Sequence, residues 1–503
     1  MYYHYDRLTA LDASFLSLED HSVHMHVGSV GLFDAGPLTR PGGGLDMDRI
    51  LATSDAALSR HPRFRQKLAW IPVVQSPVWV DDERFNLNYH IRHTALPPPG
   101  DIRQLKRLAG RIMSQQLDRG KPLWELWFVE GLEGDRFAVI SKIHHCMIDG
   151  VGSVDLMTGL MGPDPDHVTP PSGRWVPRPA PSSARLLIDE VLRRASLPLT
   201  VGRGAERLVS EPRHALGAAG DAIESLGAAI AAGLRPASPS PINCDIGPHR
   251  RFDWLRMDID GIKEVKNRLG GTLNDVVLAI VAGAMRRFLR QRGEQVEDLE
   301  FRVMVPVNVR AAAEHARLGN RVSFLLAPLP LGERGAAQRL ERVVETMQRL
   351  KHSKQRRGAE VLEEISDQVA SSLFVRFARL GARSLSYNMV VTNVPGPPVP
   401  VYLQGAALRE IYPLVPLFTN QALGIALFSY NGGLFWGFNA DWDAVPDLHD
   451  VVGAVEAEYQ ALRQLAGAAS VPFTATSGGR RPAGRRVQRP VRTRRRGRAR
   501  ALS

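Results

Sequence analysis

The chain has 503 residues, 44% of them hydrophobic and 23% charged, ordinary values for a folded globular protein and enough for more than one domain. Two cysteines, Cys146 and Cys244, exclude a disulfide framework and a zinc ribbon and point to a reducing, cytoplasmic setting. The net charge of +12 belongs to the end of the chain, where residues 472–503 hold eleven arginines and neither lysine nor acid; the near-neutral body makes no case for a nucleic-acid-binding fold.

The opening MYYHYDRLTALDASFLSLED lacks the basic and continuous apolar regions of a signal peptide, and no apolar run nears the ~18 residues needed to span a bilayer. Residues 24–34, HMHVGSVGLFD, read as a strand, with Met25, Val27 and Phe33 on one face and Val30 and Leu32 on the other. Gly28 and Gly31 within it predict a bulge or a close backbone approach. Residues 76–82 read as another strand, and 85–100 end in a Pro/Gly stop. Residues 101–117 place Ile102, Leu105, Leu108, Ile112 and Leu117 near one helical face. Residues 122–132 and 136–145 read as two further strands.

From 166 to 245 the chain turns proline-rich and then Ala-rich, a crossover with helical pieces. A second α/β region spans 246–470, with a helix over 273–293 and strands over 301–310, 389–397 and 434–442. The composition of 471–503 predicts disorder, with anionic lipid, nucleic acid or mere solubility as its use. Residues 371–387, SSLFVRFARLGARSLSY, fit either an interfacial helix or a core helix with a basic outer face.

The stretch SKIHHCMIDG, residues 141–150, carries the chemistry. Alternation along the strand puts His145 with Phe137, Val139, Ser141 and Ile143, and turns His144 the other way. Adjacent histidines at a strand end do not readily ligate one metal, and a third strong ligand is missing nearby; two satisfied core histidines are the plain alternative. Asp149 and Gly150 allow a sharp turn into a helix, a junction where catalytic groups are often held.

HHCMIDG fits the HHxxxDG signature of the CoA-dependent acyltransferase superfamily. Further blocks resemble the bacterial wax ester synthase/acyl-CoA:diacylglycerol acyltransferases: LTALDASFLSLED with MHVGSVGLFD, PLWELWFVEGL, LNDVVLAIVAGAMRRFL, PVNVR with LGNRVS, and TNVPGPP. The resemblance runs from about residue 6 to 465. It implies two chloramphenicol-acetyltransferase-like α/β subdomains, 1–165 and 246–470, with a cleft between them and a long crossover. It implies acyl transfer from acyl-CoA, as co-substrate with no further cofactor, to diacylglycerol or a long-chain alcohol, at a peripheral membrane or lipid-droplet surface.

By that resemblance His145 is the general base, since a neutral imidazole can take the proton of a weakly nucleophilic hydroxyl. His144 supports it, Asp149 holds the loop with Arg310 as candidate partner, and Gly150 completes the motif. Asn274 is a candidate for oxyanion binding or site shaping beside Asp275, although Thr272, Asn274 and Asp275 also suit a helix N-terminus. Trp124, Asn393, Pro395 and Gly396 are candidate substrate contacts, although a tryptophan like Trp124 is more often core. A donor held on a carrier protein, and a non-catalytic lipid or nucleic-acid binder acting through the basic tail, are the alternatives.

Overall fold

The computed structural model describes residues 5–147, 160–166, 175–193, 236–308, 322–351 and 386–468. The first half supplies β1 (Asp6–Arg7), β2 (His26–Asp34), β3 (Gln66–Trp70), β4 (Pro77–Asp81), β5 (Ile91–Ala95), β6 (Trp124–Leu132) and β7 (Arg136–His144). The second supplies β8 (Arg250–Asp258), β9 (Phe301–Asn308), β10 (Val322–Leu329), β11 (Met389–Pro395), β12 (Tyr402–Leu403), β13 (Ala406–Leu414), β14 (Leu423–Tyr430) and β15 (Gly433–Asp441). Among the described residues they form a small sheet, β1-β4-β3, and two six-stranded sheets, β12-β13-β2-β7-β6-β5 and β10-β9-β11-β14-β15-β8.

Among the described residues one segment of the second half joins a sheet of the first. β13 pairs antiparallel with β2, Ile411 opposite Gly31 and Tyr412 opposite Val30, so Tyr402–Leu414 of the 246–470 region complete the first sheet. That pairing joins segments about 380 residues apart, and no local pattern announces it. The halves also meet where helix Ile102–Met113 lies on β8. A Cβ at Gly110 would sit 2.7 Å from the Arg250 carbonyl oxygen, so glycine lets helix and strand approach. Ser114 Oγ accepts from the Arg250 N–H at 2.8 Å. The same demand appears between β2 and β7, where a Cβ at Gly28 would lie 2.1 Å from the Ser141 carbonyl oxygen; of the two readings of this glycine, close approach is the one found.

Helices Leu273–Gln291, Ala336–Lys351 and Leu448–Ala468 bury the apolar residues of the second half against its sheet, from Val276 and Val277 to Trp436 and Phe438. Inside this layer Glu458, 4% exposed, accepts from Arg287 Nε at 2.6 Å and from the buried guanidinium of Arg339. Glu458→Ala is expected to destabilise by about 3–5 kcal/mol, because it strands a buried cation. Arg287→Ala, removing a half-exposed partner, is expected to cost at most about 1 kcal/mol. Urea midpoints compare the two, and equal shifts would contradict the assignment.

Among the described residues no single helix is long and apolar enough to cross a membrane; the pair Ile259–Leu269 and Leu273–Gln291 meets the length and composition only together, across a 95° bend.

Candidate active site

β2 and β7 are antiparallel neighbours with His26 opposite His144. β7 ends at His144, and His145–Met147 form a 3-10 turn. The strand expected over 136–145 is thus one residue too long. The turn, and not strand alternation, sends the two adjacent imidazoles apart.

His144 is buried, 1% exposed. Its Nδ1 accepts from the Cys146 N–H at 3.1 Å, which leaves the proton of a neutral ring on Nε2. That nitrogen lies 3.5 Å from Glu19 Oε2. The Glu19 carboxylate, 2% exposed, is also 3.3 Å from His26 Nε2 and receives Arg119 Nη2 at 2.8 Å and Nε at 3.2 Å. It accepts the Met25 N–H at 3.3 Å, while the Met25 carbonyl accepts the His145 N–H at 2.7 Å. One carboxylate therefore holds the turn by two handles, the His144 ring and the Met25 backbone. Burial, the largest influence on Glu19, would raise its pKa, but hydrogen bonds and charge from His144 and His26 hold it far below the usual carboxylate range.

His145 is partly buried. Its ring stacks on Phe15 at 4.0 Å between centroids, and its Nδ1 is buried without a hydrogen-bond partner among the described residues. Burial pushes its pKa down to about 4; its own backbone carbonyl pulls upward and His144 adds to the depression. The imidazole is neutral at pH 7. Phe15 comes from helix Ala10–Leu18, capped by Thr9, which accepts from the Asp12 N–H at 3.1 Å. Phe15 and Met25 share a hydrophobic cluster with Val276 and Val277 of the second half, so residues of both halves support the turn. Cys146 is buried, and burial raises its thiol pKa well above the ordinary value; it is a small apolar group here.

The buried histidines make stability depend on pH. His26, like His145, is depressed by burial, to about 3, with Glu19 opposing and Lys142 and His144 reinforcing. An unfolded histidine titrates near ~6.5, so the unfolded chain binds more protons once pH drops below that value. Stability is complete above about pH 6.5 and is lost as pH falls through the folded pKa values. The depressed Glu19 carboxyl acts in the same direction at lower pH. The urea midpoint is expected to fall steadily from pH 6.5 to 4; a constant midpoint would show that these rings are not held neutral.

The other expected site residues divide. Asp149, Gly150 and Arg310 lie outside the described residues, as do 371–385 and the basic tail. Trp124 as a substrate contact is corrected: it is 0% exposed, its Nε1–H donates to the Phe64 carbonyl at 2.8 Å, and its ring stacks on His90 at 4.6 Å. A fully buried indole satisfied on its polar edge is core. Asp275 is found in the capping role that its place at a helix start also suggested. It closes a capping box, its carboxylate accepting the Thr272 N–H at 2.8 Å and its own N–H donating to Thr272 Oγ at 3.3 Å.

Asn274, next to it, is partly buried at the helix start, and no hydrogen bond joins its side chain to another described residue. Asn393 stands opposite Leu427 in the parallel β11–β14 pair. After Pro395, the Gly396 N–H donates to the Ser429 carbonyl at 2.9 Å, and a Cβ there would meet the Phe428 ring at 2.3 Å. Among the described residues no hydrogen bond or ion pair joins Asn274, Asn393, Pro395 or Gly396 to His145. Glu19 was missed as a site residue. The block LTALDASFLSLED pointed to it only as part of a resemblance, because an acid at a helix end has no local mark of burial.

The pattern of the wax ester synthase/diacylglycerol acyltransferase catalytic domain matches residues 8–277, and that of the WS/DGAT C-terminal domain matches 318–463. A Mycobacterium tuberculosis protein named as a diacylglycerol O-acyltransferase is 32% identical over 467 residues, covering 90% of this chain and 94% of that protein. A second from the same organism and with the same activity in its name is 31% identical over 480 residues, covering 92% and 100%. The solved wax ester synthase/diacylglycerol acyltransferase of Marinobacter aquaeolei superposes with a TM-score of 0.63 at 27% identity, over 92% of this chain and 100% of that one. The first condensation domain of the calcium-dependent antibiotic synthetase, at 17% identity and a TM-score of 0.58, over 93% of this chain and 97% of that one, shares the fold.

Proposed function

The chain belongs to the wax ester synthase/diacylglycerol acyltransferase family, and from that premise we propose that it transfers the acyl group of acyl-CoA to the hydroxyl of diacylglycerol, releasing triacylglycerol and CoA. Long-chain alcohols, giving wax esters, are the second acceptor class. The observation that carries the mechanism is His145: a neutral imidazole, partly accessible, held on a turn by Glu19 through two routes.

His145 Nε2 takes the acceptor hydroxyl proton as the oxygen attacks the thioester carbonyl carbon. The tetrahedral intermediate collapses with cleavage of the C–S bond, and the imidazolium returns the proton to the CoA sulfur. No acyl-enzyme forms, so Cys146 has no covalent task. A depressed pKa keeps every His145 ring in the accepting form at neutral pH, at the expense of basicity. His144 and Glu19 position the ring. Asp149 with Arg310 is the proposed structural ion pair behind the same loop, and Gly150 its turn. Asn274 is the proposed oxyanion donor, while Asn393, Pro395 and Gly396 form a wall of the acyl site.

Diacylglycerol does not dissolve in water, so the enzyme takes it from a membrane or lipid-droplet surface. Incubation of palmitoyl-CoA with diacylglycerol or with hexadecanol, followed by mass spectrometry of the lipid extract, tests the proposal. Triacylglycerol from the first and palmityl palmitate from the second are the expected products, the first in excess. No ester with either acceptor would refute it.

A further inference from the structure

Helix Ile102–Met113 has two unlike faces. Leu105, Ala109, Ile112 and Met113 are buried, and Lys142 Nζ caps its end by donating to the Ile112 carbonyl at 2.9 Å. On the opposite face Arg103, Arg107 and Arg111 are all exposed. Spaced four apart, they form one stripe. The fourth cation of the helix, Lys106, is paired with Asp253 of β8. No ion pair to a described residue engages the three arginines, and the helix contains no acid.

Like charges four residues apart repel, and Arg103 stands in the first turn, where the helix dipole disfavours a cation. No acid within the helix offsets either cost. The stripe runs about 12 Å along a straight convex surface, at 1.5 Å per residue. A convex row of guanidinium groups suits a flat, multiply anionic surface better than a single phosphate in a pocket.

We propose that Arg103, Arg107 and Arg111 dock the first half of the protein on the anionic phospholipid surface from which the acceptor is drawn. The naming of that surface rests on the acyltransferase function above; the charge complementarity does not. Each arginine close to such a surface contributes about fivefold in affinity, so the three together contribute about 10²-fold, screened by salt.

The test uses the full chain, with residues 472–503 unchanged in every protein so that their eleven arginines contribute equally. Binding of wild type and R103Q/R107Q/R111Q is measured on phosphatidylcholine vesicles with and without 30% phosphatidylglycerol. In parallel, arginine-directed labelling read by mass spectrometry reports which of the three is shielded. Expected are a loss of at least tenfold in affinity for anionic vesicles, shielding of the stripe on those vesicles alone, and unchanged turnover on diacylglycerol dispersed in neutral detergent. Unchanged vesicle affinity with an unshielded stripe would overturn the proposal. Shielding by CoA in the absence of lipid would overturn it in favour of a CoA phosphate site. Absence of acyl transfer in every protein would refute the enzymatic function while leaving the vesicle result to be read by itself.

Discussion

Replacing His145 by alanine is expected to lower diacylglycerol-dependent CoA release from palmitoyl-CoA by about 10²–10⁴-fold, the usual contribution of a positioned general base. The substitution removes a partly buried ring that stacks on Phe15 and whose Nδ1 holds no hydrogen bond to a described residue, so the folded state should survive it. Thermal unfolding of the variant should stay within a few degrees of wild type. His144→Ala differs in kind. It leaves the Cys146 N–H without its acceptor and Glu19 without one partner, so a loss of stability should accompany its loss of rate. If His145→Ala kept wild-type turnover, the histidine pair would be structural and the base would lie elsewhere.

Asn274→Ala carries the second large expectation, a fall of about 10²–10³-fold in kcat with little change in KM, the signature of a lost oxyanion donor. The capping geometry makes the test clean. Thr272 and Asp275 close the capping box of helix Leu273–Gln291 between themselves, so Asn274 is not part of it. It projects from a helix N-terminus, where backbone N–H groups and the dipole favour developing negative charge. Thr272→Ala is the control: it should cost about 1 kcal/mol of stability and leave kcat unchanged. Equal kinetic effects of the two substitutions would assign Asn274 to folding alone.

Periodicity served for helix Ile102–Met113, which buries one face, and also for β7, which is buried along nearly its whole length. Helix Ile102–Met113 and strands β2 and β7 lie close to their expected limits because their apolar faces repeat at helical or strand spacing. The failures have physical causes too. Pairing of β13 with β2 depends on chain closure over nearly the whole protein, which no window of residues records. Trp124 looked available because its block resembles a functional one, yet its partners Phe64 and His90 lie far back in the chain. Glu19 could not be ranked above the chain's other acids, since its importance arises from His26, His144 and Arg119 converging on it in space.

The most direct measurement is single-turnover acyl transfer from palmitoyl-CoA to diacylglycerol between pH 5 and pH 8, with CoA and triacylglycerol both quantified. One triacylglycerol per CoA, at a rate nearly constant across that range, is the predicted result, because a base with a pKa of about 4 is already unprotonated throughout. CoA release without triacylglycerol would contradict the acyltransferase function. A rate rising about tenfold per pH unit below ~6.5, the value of an ordinary histidine, would contradict the buried neutral His145 on which the mechanism stands.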